Sequence, residues 1–181
     1  MVRVTDLQPD TLVHAGLASA AALTRGSRRL LAGRLDPCGV ARVHLWFDAA
    51  PARVWPVLVD GSRYADWVVG VKPVRAVDTG WPRPGASLHY AIGAGPVQVQ
   101  DRTTVRSSCP EQMLDLDIGG PLGSVRVLIR LQESGGRTLV TLDEYPDGGL
   151  LRLLHTPLGS AAFAARGVLM LHRLRALTRA G

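Results

Sequence analysis

Hydrophobic and polar positions change rhythm three times along this chain, and each change marks a different kind of element. From Ala41 to Asp48 the rhythm is two, with Val43, Leu45 and Phe47 on one face and His44 and Trp46 on the other, which predicts a half-buried strand. Pro51 then stands where the first turn of a helix tolerates it, and Val54, Trp55 and Leu58 follow at helical spacing. Gly61 and Ser62 break that helix, and the serine is expected to cap a second one carrying Tyr64 and Trp67. The middle of the chain returns to strand rhythm over residues 71–78, 87–92, 97–107, 112–118, 124–132 and 137–145, separated by Gly- and Pro-rich turns. Short connections make these strands neighbours in an antiparallel meander, seven in all with the first.

A last helical stretch, Leu158 to Arg179, has an apolar side formed by Phe163, Gly167, Met170, Leu171, Leu174 and Leu177, with Arg166, Arg173, Arg175 and Arg179 assigned elsewhere. At 1.5 Å per residue it is roughly 33 Å long, enough to cross such a sheet. Ala164 and Gly167 on its inward side fit either a cavity or close packing on the sheet. Residues 11–32 form a further expected helix, capped by Asp10 and ended by Gly33, with Arg25, Arg28 and Arg29 in its last turns. Its expected role is packing, with Trp46 as a candidate dock and transient membrane contact as the alternative. The expected division is a helical extension over 1–40 and one domain over 41–181.

Composition narrows the functional classes. The hydrophobic fraction of 46% supports a core, and the net charge of +6 raises the question of an anionic partner. The basic residues are almost all arginine, with Lys72 the single lysine, and they are dispersed, so a nucleic-acid surface is not expected. Cys38 and Cys109 show neither a CxxC pattern nor histidines beside them, which predicts no metal site, no disulfide framework and a reduced, cytoplasmic setting. No apolar run is long enough for stable membrane insertion.

The segment FDAAPARVWPVLVDGSRYADW, and LVTLDEYPDGG before a long helix, resemble the opening and close of the polyketide cyclase/dehydrase and lipid-transport proteins of the SRPBCC (START/Bet v1-like) superfamily. The resemblance spans about residues 41–179. It implies an α+β helix-grip fold, a seven-stranded antiparallel sheet curved around a long C-terminal helix with two short helices after the first strand, and a deep pocket between sheet and helix. It selects no ligand and no activity, since one fold serves many functions.

Candidate chemistry lies on the inward strand faces. Tyr90, Asp101 and Thr103 are polar groups among apolar alternating positions, and Glu144 alternates inward with Val140 and Leu142. A carboxylate on an apolar wall acquires a raised pKa and can act as acid or base, unless an arginine such as Arg126 or Arg130 neutralises it across the strands. Asp115 and Asp117 are expected on a solvent-facing strand side, and His155 and His172 are expected to be solvated. No cofactor is expected. The expected ligand lining is Trp67, Tyr90, Asp101, Thr103, Glu144, Phe163 and Met170, around a hydrophobic small molecule. Three functions stay open: a binding or transport protein, an aromatic polyketide cyclase or dehydratase using Tyr90 with Asp101 or Glu144, and an interaction module whose groove accepts a helix. Oligomeric state is left open.

Overall fold

A computed structural model describes residues 34–35, 41–94, 97–120, 123–146, 148–149 and 156–181, all within the compact unit Ala32–Gly181. The expected helix over 11–32, the docking of Trp46 against it and His155 lie outside the described residues. In chain order the elements are β1 (Arg34–Leu35), β2 (Ala41–Phe47), α1 (Pro51–Leu58), a 3-10 turn (Gly61–Arg63), α2 (Tyr64–Trp67), β3 (Ala76–Val77), β4 (Ser87–Ala94), β5 (Val97–Cys109), β6 (Met113–Gly120), β7 (Gly123–Ser134), β8 (Arg137–Pro146) and α3 (Pro157–Ala180). The strands form one antiparallel sheet in the order β1-β2-β8-β7-β6-β5-β4-β3. The seven expected strands are therefore present, with Arg34–Leu35 added at the edge.

One expected strand is much shorter than its pattern suggests. Of residues 71–78 only Ala76 and Val77 pair with β4, beside an isolated bridge from Val71 to Ile92. Pro73 has no N–H to give the ladder, so the pairing there is irregular, held by Lys72 N and Arg75 N, which donate to the carbonyls of Ala91 and His89, each at 2.8 Å. The cap also differs from expectation. Asp60, not Ser62, caps the 3-10 turn, its Oδ1 accepting from Ser62 N at 3.0 Å. Thr156 caps α3 through Gly159 N, with Pro157 at the first helical position.

The inner sheet face supplies Val43, Phe47, Leu88, Val105, Leu116, Ile129 and Leu142 to the core, and α3 supplies Met170, Leu171 and Leu174. Gly167 brings helix and sheet together: a Cβ there would stand 2.9 Å from Val43 Cγ2 and 3.1 Å from Leu142 Cδ2. This glycine serves close packing rather than empty space.

The outer face is laced by arginine–aspartate pairs. Asp143 receives Arg42 and Arg130, both at 2.6 Å, and Asp115 receives Arg126 through two bonds of 3.0 and 2.8 Å. Asp117 receives Arg106 at 2.9 Å. The expectation that Asp115 faces solvent is corrected by this lattice, because flanking arginine stems leave it only 5% exposed. Arg137 lies over the ring of Trp46, 5.1 Å from its centroid.

Candidate functional site

Strand alternation carries Tyr90, Ile92, Val99, Asp101, Ile118 and Val125 to the inner face, where they meet α3 and the loop after α2. Between them is a cavity of about 500 Å³, walled mostly by apolar side chains and closed on the helix side by Phe163 and Arg166. The wall also includes Val68, Val69 and Val71, from the segment that follows α2 and joins the sheet edge through the bridge of Val71 to Ile92. A second, shallow depression of about 650 Å³ lies among Arg75, His89, Gln100 and Arg102 and shares Asp101, Gly120 and Gly123 with the cavity. It is open to solvent and mixed in lining, whereas the inner cavity is more enclosed and has the apolar walls a small organic ligand needs.

The expected lining residues fall into two groups. Tyr90, Asp101 and Phe163 border the cavity. Trp67, Thr103, Glu144 and Met170 are buried behind that border, each 2% exposed or less. Trp67 stacks edge-on against Tyr64, 5.4 Å between centroids, and its Nε1 has no hydrogen-bond partner among the described residues. Met170 belongs to the core.

Thr103 joins two tyrosines. Its Oγ1 lies 2.6 Å from the Tyr90 hydroxyl and 3.1 Å from that of Tyr64. Three hydroxyls own three protons, and two hydrogen bonds use two of them, so one O–H remains to donate elsewhere. Burial pushes the Tyr64 phenol up to about 12 and pushes Tyr90 up as well, so both hold their protons at neutral pH. Asp101 is partly exposed, and its Oδ1 accepts from the N–H of Arg102 at 2.7 Å. Burial nonetheless raises its pKa above the ordinary carboxylate value. Gly120 leaves room for this carboxylate, since a Cβ there would meet Asp101 Oδ1 at 3.0 Å.

Glu144 is fully buried, and its partner comes from α3 rather than from a neighbouring strand: Arg166 Nη1 donates to Oε1. Arg126 and Arg130 cannot reach it, because they alternate with Val125, Val127 and Ile129 and so point to the outer face, where they hold Asp115 and Asp143. Arg166 also donates from Nε to the carbonyl of Val69 at 3.2 Å. Burial raises the Glu144 pKa and Arg166 opposes the rise. Among the described residues Oε2 of Glu144 has no partner.

Arg166 and Tyr64 are the two members of this constellation that sequence reasoning missed. Arg166 follows Phe163 by three positions and precedes Met170 by four, so helical spacing alone places it on the inward stripe. Among the described residues no group of His, Cys, Asp and Glu could hold a metal ion. Nor, among them, is any helix long and apolar enough to cross a membrane.

This architecture, a grip of curved sheet on a long helix with a cavity between, defines an SRPBCC-type protein. The model of the family described as polyketide cyclase/dehydrase and lipid transport matches residues 41–179, and the chain belongs to that family. Solved structures agree on the fold. A protein of Arthrobacter aurescens is similar at 16% identity, over 84% of this chain and 94% of its own, with a TM-score of 0.66. The Zhui aromatase/cyclase of a Streptomyces species is similar at 14% identity, over 77% and 93%, with a TM-score of 0.61. Ara h 8.0201 is similar at 12% identity, over 78% and 98%, with a TM-score of 0.59. No curated protein sequence matches the chain.

Proposed function

We propose that this protein binds a hydrophobic small molecule, such as a lipid, isoprenoid or polyketide, in the cavity between the sheet and α3. The observation that carries this reading is the cavity itself: about 500 Å³, within the range of small-molecule sites, with apolar walls broken by Tyr90, Asp101 and Arg166. Aliphatic contact supplies the affinity, and those three groups orient the ligand. The test is native mass spectrometry of the purified protein, followed by organic extraction of what it retains. A stoichiometric apolar molecule is expected. A consistently empty protein that also ignores hydrophobic fluorescent probes would overturn the reading. A reduced, cytoplasmic setting without nucleic acid belongs to the same proposal, supported by the free Cys109 and by arginines engaged with aspartates.

A second reading, catalysis of the cyclase or dehydratase type, is favoured by one observation. Asp101, a carboxyl with a raised pKa, borders the same cavity as a tyrosine hydroxyl held by Thr103. In that reading Asp101 moves the proton and Tyr90 donates to the substrate oxygen. Asp101→Asn then abolishes turnover of an extracted ligand precursor while its affinity survives. If Asp101→Asn and the wild type are equally active, Asp101 is not catalytic.

A further inference from the structure

Arg166 faces two ways. Behind it, Nη1 donates to the buried Glu144 and Nε to the Val69 carbonyl; ahead of it lies the cavity. A guanidinium has five N–H donors, so three remain without a partner among the described residues. They sit on the two terminal nitrogens, whose spacing suits the two oxygens of a carboxylate. Glu144 is half used in the same sense, since Oε1 is bonded and Oε2 is buried without a partner among the described residues.

The charges around Glu144 are few. α3 contributes Arg166, and α2 contributes the neutral phenol of Tyr64. Its pairing partners on β2 and β7 are Ala41 and Val127, which carry none. Tyr90 and Asp101 line the cavity that Arg166 also faces. The Arg166–Glu144 pair is neutral and Asp101 is a second carboxyl on the same wall, so an arriving anion adds uncompensated negative charge to an apolar enclosure. One proton offsets the added charge.

We propose that the cavity takes an apolar molecule bearing a carboxylate, that this head docks on the free N–H groups of Arg166, and that Glu144 accepts a solvent proton on Oε2 as the ligand binds. The inference rests on the binding reading above and specifies its ligand class. No covalent bond forms or breaks: the proton passes from solvent to Oε2, and Oε1 keeps its hydrogen bond from Arg166.

The experiment is isothermal titration of the full chain with dodecanoic acid and dodecan-1-ol, and with 2-naphthoic acid and 2-naphthalenemethanol, in buffers of different ionisation heat. The two pairs separate a chain-shaped from a ring-shaped body. The expected result is that at least one acid binds about tenfold or more tighter than its alcohol, the worth of a charge-assisted hydrogen bond, with net proton uptake and with affinity falling as pH rises. Glu144→Gln should keep the preference and lose both the uptake and the pH slope, which a merely structural glutamate would not do. The double variant Glu144→Gln/Arg166→Gln, which removes both charges together, should bind acid and alcohol equally. Equal binding of acid and alcohol by the wild type overturns the inference and leaves the binding reading intact. Failure of all four compounds and of apolar fluorescent probes overturns the binding reading and the inference with it.

Discussion

Replacing Arg166 by glutamine removes the one cation bonded to Glu144 among the described residues, and leaves that carboxyl at zero exposure. Breaking one side of a buried pair costs about 3–5 kcal/mol. Arg166 borders a cavity and is 28% exposed, which places the loss at the lower end, about 3 kcal/mol. For a chain of this size each kcal/mol moves Tm by about 2–4 °C, so the variant should melt about 6–12 °C lower. The loss depends on pH with a defined sign. The folded pKa of Glu144 is raised above its ordinary 4.5, and without Arg166 it rises further. Below about 4.5 both folded and unfolded chains bind the proton and the penalty is absent; it grows as pH rises toward the folded pKa and levels off above it. Thermal unfolding followed by circular dichroism, between about pH 4.5 and about pH 9, should therefore show wild type and variant diverging as pH increases. The Glu144→Gln/Arg166→Gln double variant should recover most of the difference. A loss constant across that range, or a double variant no better than the single one, would refute the argument from an uncompensated buried charge.

Three further outcomes follow from the same geometry. Gly167→Ala ordinarily gains about 0.5–1 kcal/mol in a helix, but its Cβ would crowd Val43 and Leu142. Overpacking then dominates, and chemical denaturation should report a net loss of about 1 kcal/mol. Thr103→Val keeps the volume and strips both tyrosine hydroxyls of their shared partner, so it should cost about 2 kcal/mol or more in the same assay, with little added by Tyr64→Phe. Ile118→Trp puts a larger side chain into the cavity wall and should abolish retention of a co-purifying ligand while the protein keeps its native circular dichroism.

Much of this fold is legible as alternation. The faces of β2, β4, β6 and β8 follow directly from residues such as Val43, Leu88, Leu116 and Leu142, because a half-buried strand has period two and nothing local competes with it. The segment 71–78 misleads, since its valines advertise a strand that Pro73 interrupts, and residues 68–71 become cavity wall instead. The site is less legible for two reasons. Arg166 looks like surface when sorted by residue type and like core when sorted by helical angle, and only the angle respects how a helix packs. Asp115 of β6 looks solvated because sequence does not show that arginine stems from adjacent strands will cover it. The same alternation did carry one usable signal: Arg126 and Arg130 have the wrong parity to meet Glu144.

The close approach at Gly167 divides α3 into unequal halves. Downstream, Met170, Leu171 and Leu174 are locked between strands; upstream, Phe163 and Ala164 are only partly covered and Leu158 is 82% exposed. The helix is thus anchored like a lever past its fulcrum. The outer ion pairs stitch β2 to β8, β8 to β7, β7 to β6 and β6 to β5, so bending the sheet would disturb several of them at once. The first turns of α3, ahead of the bonds from Arg166 to Glu144 and the Val69 carbonyl, carry fewer such ties, although Ser160 there is buried. If an occupant outgrows the resting space, the short arm ahead of Arg166 is the part of the helix expected to give, and the bonds of Arg166 to Glu144 and Val69 set its limit.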